Sequence, residues 1–324
     1  MSKLLTTRET EAEKLASTLS PLQIEAERVA ATVFQGTHGR RHPGQGDEFW
    51  QYRRYNPGDT PRSIDWRRSA KAGSTADNSG VFIRQKERET AQSLWLWTAG
   101  DPGMDWMSPW SSCSKHHRAS VIALALATLL LRGGEKIALA GSGRPPSSAR
   151  TTVQFLAQQL EQKAGNSDNL PANLHVTPHA ALICFSDFLS PIEEQKETFD
   201  RLAALKLKVW LVQILDPAEL KLPYSGRVKF QLPFEGLNSK GHHPGNEWLH
   251  PDVDSIRESY KERIEEHNRD LALLANKLGW RHLIHATDQP ASKALLALYS
   301  DVSERQSISS RKYDSRNKAG GRYA

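Results

Sequence analysis

The 324-residue sequence predicts an α/β fold, a mainly parallel sheet with helices on both faces. Three observations predict it. Short, continuously apolar runs recur at Ser93–Trp97 (SLWLW), Ala180–Phe185 (AALICF) and Lys208–Ile214 (KVWLVQI), the pattern of strands buried on both faces. Stretches with helical spacing of apolar residues separate them, and such alternation points to parallel pairing. A hydrophobic content of 38% with 25% charged residues supports a sizeable core rather than a disordered chain.

The elements follow in order. Residues 8–33 read as helical, with Leu15, Leu19, Leu22, Ile24 and Val29 among charges. Pro21 after Ser20 starts a second helix there, with Ser20 as its N-cap. The Gly- and His-rich stretch 36–47 reads as a loop. Two strand-like stretches, Glu48–Arg54 and Gly80–Arg88, flank the turn signal Asn56–Asp59 (NPGD) and a short helix over Ile64–Ala72. Beyond Gln92 the alternation is regular. The strand Ser93–Trp97 precedes a helix over Arg118–Arg132, a strand at Lys136–Gly141 and a helix over Thr151–Lys163. The strand Ala180–Phe185, a helix over Ile192–Lys206 and the strand Lys208–Ile214 come next. Residues 217–251 interrupt the pattern and carry a hairpin near Val228–Leu232. A long helix over Asp252–Leu278, a strand at Trp280–His285 and a helix over Ala291–Val302 close it. The expected organisation is a helical N-terminal extension (1–35), a segment packed on the main domain (36–90), the α/β domain (91–303, with 217–251 inserted) and a disordered basic tail (304–324).

Composition narrows the function classes. Cys113 and Cys184 lie far apart and form no metal spacing, which suits a reducing compartment. Met1–Leu15 lacks the apolar core of a signal peptide. The longest apolar run, Val121–Leu131, is about half a membrane span, so a soluble cytoplasmic protein is expected. The net charge of +6 is interleaved with acids and reads as a solvated surface. The alternative is a nucleic-acid-binding protein using the tail and Arg40, Arg41, Arg53, Arg54, Arg67 and Arg68.

One segment is dense in aromatic, Arg and Asp residues: Glu48–Arg68, EFWQYRRYNPGDTPRSIDWRR. Arg54, Tyr55, Pro57, Gly58, Asp59, Arg62, Asp65 and Trp66 stand out in it. Two readings stay open: a partner-binding surface, since Trp, Tyr and Arg enrich hot spots, or a cluster anchoring the segment to the sheet. Arg40 and Arg41 in the preceding glycine loop are candidates for an exposed role. Further on come FSDFL (Phe185–Leu189), ILDPAELKLPYSGRVKF (Ile214–Phe230) and a helix carrying Tyr260, Arg263 and His267. Together these motifs resemble the bacterial family known as domain of unknown function 58, in family order over residues 36–303. The resemblance implies a von Willebrand factor A-like sheet and association with MoxR-type AAA+ ATPases in chaperone-like or maturation work. Many members are membrane-anchored; this chain is similar to the soluble branch.

The same resemblance directs attention to the loop after SLWLW. In A-type domains it holds Asp-x-Ser-x-Ser, whose oxygens bind Mg²⁺ together with a Thr and a later Asp. Here the loop reads Thr98 to Trp106, TAGDPGMDW. One register places Ala99, Asp101 and Gly103 at the three ligand positions. A shift by two places Asp101, Gly103 and Asp105 there. Hard cations need oxygen ligands, so neither register is a normal site. The expectation is a degenerate loop and no cofactor, Mg²⁺ being the one alternative. Asp187 fits the later Asp. The resulting expectation is protein binding through Asp101, Asp105, Trp106 and Asp187, with Trp110 nearby and a MoxR-type ATPase as partner. Asp216 and Glu219 read either as a paired-carboxylate site or as a Pro-initiated turn with Glu219 an ordinary surface charge. The pairs His116–His117 and His242–His243 carry diverging side chains. The chain shows no recognised hydrolase or nucleotide motif, which points away from an enzyme.

Overall fold

A computed structural model describes residues 20–36, 49–55, 64–71, 81–86, 93–162, 170–171, 174, 176–177, 180–231 and 247–304. The chain forms two compact units, residues 41–91 and residues 1–40 with 92–324. The first helix, α1 (Pro21–Gly36), belongs to the larger unit. Ser20 and Gln23 cap it reciprocally: Ser20 Oγ accepts the Gln23 N–H, and Gln23 Oε1 accepts the Ser20 N–H. Leu22, Ala26, Ala30 and Val33, spaced along one face, are buried in the main core.

The smaller unit pairs β1 (Phe49–Arg54) antiparallel with β2 (Phe82–Lys86), Tyr52 facing Arg84. Between them lies α2 (Trp66–Lys71). Asp65 caps it by accepting the Arg68 N–H at 3.0 Å. Ser69 ties it to β2, its Oγ accepting the Phe82 N–H at 2.9 Å. The Arg68 guanidinium lies over the Phe82 ring, 5.5 Å from its centroid.

The larger unit is built on a five-stranded sheet, all of it parallel. Its strands are β3 (Ser93–Thr98), β4 (Lys136–Leu139), β5 (Ala181–Ser186), β6 (Lys208–Leu215) and β9 (Arg281–Ala286), in the order β4-β3-β5-β6-β9. The intervening helices are α3 (Pro102–Asp105), α4 (Lys115–Arg132), α5 (Thr151–Gln162), α6 (Ile192–Ala204), α7 (Pro217–Lys221), α8 (Arg257–Lys277) and α9 (291–304). A hairpin of β7 (Val228–Gln231) and β8 (Glu247–His250) follows α7. The expected sheet and its order of elements are thus present. A short 3-10 turn, Val253–Ile256, takes the first residues expected of the long helix.

Helix α4 is apolar nearly all round, and 14 of its 18 residues are buried. A helix of this kind must be covered on more than one side. It packs on β3, β5 and β6 and also receives α1 and α5. Because chain order reverses at β3, with β4 on one side and β5 on the other, a crevice is expected beyond the carboxyl ends of β3 and β5.

Candidate functional site

The loops leaving β3, β5 and β6 meet at that rim. The first runs from Ala99 into α4. Its backbone extends the sheet, Ala99 N–H donating to Phe185 O at 2.8 Å. Asp101 then caps α3, Oδ2 accepting the Gly103 N–H at 3.1 Å. Ser114 caps α4, and Lys115 is its first residue. A lysine is ill placed there by the helix dipole, which favours acids at this end. The compensation is tertiary. Lys115 Nζ donates to Asp187 Oδ2 at 2.8 Å and to Glu219 Oε1 at 2.5 Å. The three side chains are 2%, 13% and 15% exposed respectively.

Burial works against the Lys115 ammonium. Asp187 first and Glu219 second outweigh that effect and hold its pKa above the ordinary 10.5. The site also holds Asp101, 3% exposed, whose Oδ1 has no hydrogen-bond partner. Burial and then the Asp187 charge lift Asp101 from 3.8 to about 6, against the pull of Lys115. Thr98 Oγ1, at the end of β3, is also buried without a partner.

Each carboxylate is fixed from behind. Asp216 is fully buried and accepts from two backbone groups, Ala218 N–H at 2.8 Å and Ser108 N–H at 3.0 Å. Glu219 Oε2 accepts the Asp216 N–H at 2.8 Å, closing a capping box at α7. Glu219 is therefore no ordinary surface charge: the segment DPAE forms a helix start, and its glutamate turns inward to Lys115. The Asp187 loop needs more support, since Phe188 has φ 49°, a conformation costly for a residue with a Cβ. Its carbonyl accepts from His267 Nε2 at 2.7 Å and Gln195 Nε2 at 2.9 Å. Gln213 Nε2 donates to Asp187 O at 2.9 Å. Tyr260 OH donates to Glu219 O at 2.7 Å, and burial pushes its own pKa up to about 12. Helix α8 thus supports both loops that supply the partners of Lys115.

The segment after α3 is held on this frame. Ser108 N–H reaches Asp216 as described, and Ser111 Oγ shares a 2.7 Å hydrogen bond with Thr287 Oγ1. On its outer side Trp106, Met107 and Trp110 are 38%, 51% and 46% exposed. Trp110 packs edge-on to Tyr224, ring centroids 5.1 Å apart.

The sequence candidates fall into three groups. Asp105 and Trp106 lie at the surface of the rim, whereas Asp101 is buried and Asp187 largely so. Asp65 caps α2, and Trp66, the first residue of that helix, is exposed. Arg40, Arg41, Pro57, Gly58, Asp59 and Arg62 lie outside the described residues, as do His242, His243 and 305–324. Arg54 is on β1 and Tyr55 just beyond it. His116 and His117 do diverge. His116 is buried with its ring nitrogens at 3.2 Å from Ala99 O and 3.1 Å from Leu160 O, while His117 Nε2 meets Glu25 at 2.9 Å. Lys115, Asp216 as a buried acceptor and Gln195 were not singled out by the sequence reading.

The residues do not fit a divalent cation. Ala99 and Gly103 offer no side-chain oxygen, and Asp101 Oδ2 is engaged as a cap. The ammonium of Lys115 stands between Asp187 and Glu219. Among the described residues no three His, Cys, Asp or Glu side chains are grouped so as to hold a metal ion. Nor is any described helix long and apolar enough to cross a membrane.

A family model described as "Protein of unknown function DUF58" matches residues 51–270, and the chain belongs to that family. The uncharacterized protein Rv1480 of Mycobacterium tuberculosis strain H37Rv is 28% identical over 239 residues, covering 69% of this chain and 72% of that protein. The uncharacterized protein Mb1516 of Mycobacterium bovis matches to the same extent. Among solved structures, the conserved hypothetical protein BatB from Bacteroides thetaiotaomicron aligns with a TM-score of 0.36 and 11% identity, over 66% of this chain and 99% of that one. An aerotolerance-related membrane protein from Bacteroides fragilis aligns with a TM-score of 0.31 and 11% identity, over 65% and 99%.

Proposed function

We propose that this DUF58 chain is a non-enzymatic, von Willebrand factor A-like binding module whose contact surface is the rim beyond β3, β5 and β6. Its partner is a MoxR-type AAA+ ATPase, which it serves in chaperone-like or maturation work in the cytoplasm. The partner and the process follow from the family resemblance. One observation supports the rim as the contact surface. The motifs that carry the resemblance, FSDFL, ILDPAEL and the Tyr260/His267 helix, converge on one frame beside exposed Trp106, Met107 and Trp110. Aromatic side chains at low conformational cost on a rigid support are the usual anchors of an interface. Four of the polar groups beneath them are engaged by the protein itself, which supports binding rather than catalysis. Asp187 and Glu219 hold Lys115, Asp216 holds two backbone N–H groups, and His267 holds a carbonyl.

The test is co-purification of the tagged chain with the ATPase. Trp106→Ser with Trp110→Ser should abolish retention while the circular dichroism spectrum and melting temperature stay near those of the unaltered chain. Retention unaffected by the double substitution would refute this surface. Retention of the chain on DNA at moderate salt, lost steeply as salt rises, would favour a nucleic-acid partner instead.

A further inference from the structure

We propose that the rim carries its own permanent cation: the Lys115 ammonium takes the place a divalent metal ion would need between Asp187 and Glu219, and by doing so excludes the metal. The inference deepens the binding reading above, which needs recognition without a bridging ion.

Three observations carry it. First, the two carboxylates that meet at Nζ come from separate segments that follow adjacent strands, Asp187 after β5 and Glu219 in α7 after β6. Carboxylate oxygens converging on one point are the ligands that a hard cation takes. Second, the occupant is already present and fully enclosed, since Lys115 is buried along its length from the first position of α4. Third, oxygens in excess of its needs remain close by. Asp101, within the electrostatic reach of both Asp187 and Lys115, keeps a buried Oδ1 without a partner. Counted as formal charges, Asp101, Asp187 and Glu219 outweigh the one ammonium that faces them.

Coordination chemistry says which ion could replace it. Ca²⁺ accepts oxygen ligands and water in a flexible shell at about 2.3–2.6 Å, whereas Mg²⁺ demands near-ideal octahedral geometry at roughly 2.0–2.1 Å. With the lysine stem removed, water can complete the shell of a large cation. Two fixed carboxylates and water make a weak site, of about millimolar affinity.

The experiment is thermal melting of the full chain and of Lys115→Ser, each in EDTA, 10 mM MgCl₂ and 10 mM CaCl₂ at constant ionic strength. The unaltered chain should melt at the same temperature in all three. Lys115→Ser should melt lower in EDTA and regain about 2–5 °C in Ca²⁺, saturably, with less in Mg²⁺. Adding Asp187→Asn should remove the gain. If Lys115→Ser does not fold in EDTA, refolding from urea in Ca²⁺ should restore the native spectrum. A saturable shift of the unaltered chain in either metal overturns the proposal and the ion-free binding reading together. A Lys115→Ser chain indifferent to both ions, in melting or in refolding yield, overturns the proposal alone and leaves the binding surface standing.

Discussion

Replacing Lys115 by methionine keeps most of the stem's volume and removes only the charge. Its consequence follows from the geometry. Nζ is bonded to Asp187 and Glu219 at 2.8 and 2.5 Å, with all three side chains largely out of water. Removing one partner of a buried ion pair costs about 3–5 kcal/mol, mostly because the remaining charge is stranded. Here two carboxylates would be stranded facing each other, so the upper part of that range applies. A domain's entire stability is about 5–15 kcal/mol, so the loss is easily read from the midpoint of a urea curve. The sign of its pH dependence is fixed as well. Burial already raises the Glu219 carboxyl in the folded chain, and without the ammonium it binds a proton more tightly there than in the unfolded chain. Its cost is then absent below the unfolded carboxyl pKa and complete above the folded one. The deficit of Lys115→Met should be largest near pH 8 and shrink by pH 5. Adding Glu219→Gln should recover part of it, a coupling of about 1–3 kcal/mol. A deficit below about 1 kcal/mol, equal at pH 5 and pH 8, would refute the reasoning.

Further outcomes are expected at neighbouring groups. Asp101, raised to about 6, costs stability that is absent below pH 4 and complete above pH 6. Asp101→Asn, which keeps a capping oxygen, should therefore stabilise the chain at pH 7.5 by at most about 3 kcal/mol and flatten the urea midpoint between pH 4 and 6. His285 is held neutral by burial and then by Arg118, its pKa lowered to about 4, and burial and then His267 lower His282 likewise. Stability from both is complete above pH 6.5 and should fall as pH drops through 4. His285→Phe should reduce that acid loss, as read by fluorescence-monitored acid unfolding. Burial raises the Cys184 thiol pKa far above its ordinary value. A thiol reagent at pH 8 should therefore modify half-buried Cys113 in the native chain and Cys184 only after unfolding.

The sheet was legible in the sequence because strands buried on both faces carry an uninterrupted apolar signal, as in Leu94 to Trp97 and Val209 to Val212. Element ends were less legible where tertiary contacts override local preference. The start of α4 was expected at Arg118 and lies at Lys115. A lysine at the first position opposes the helix dipole, and only carboxylates from residues 187 and 219 make it acceptable. That same mismatch was the available clue: Ser114 is a good cap directly followed by a charge of the wrong sign. The Pro-initiated start at Asp216 is present, but Glu219 is not the surface charge expected, although its local signal is complete, with Asp216 as cap, Pro217 at the first position and Glu219 at the third. Spacing alone gives no hint that its second oxygen meets a lysine 104 positions earlier. The alanine and glycine in the loop after β3 were readable as missing ligands, but what compensates for them is a contact that only the fold brings about.

The most direct measurement of the central claim is retention of the nucleotide-free ATPase on the immobilised chain, in EDTA and then in Mg²⁺, since without nucleotide the ATPase holds no metal complex of its own. A rim that contributes its own ammonium predicts equal retention in the two buffers for the unaltered chain. Retention that vanishes in EDTA, and that Asp101→Ala abolishes even when Mg²⁺ is restored, would contradict it.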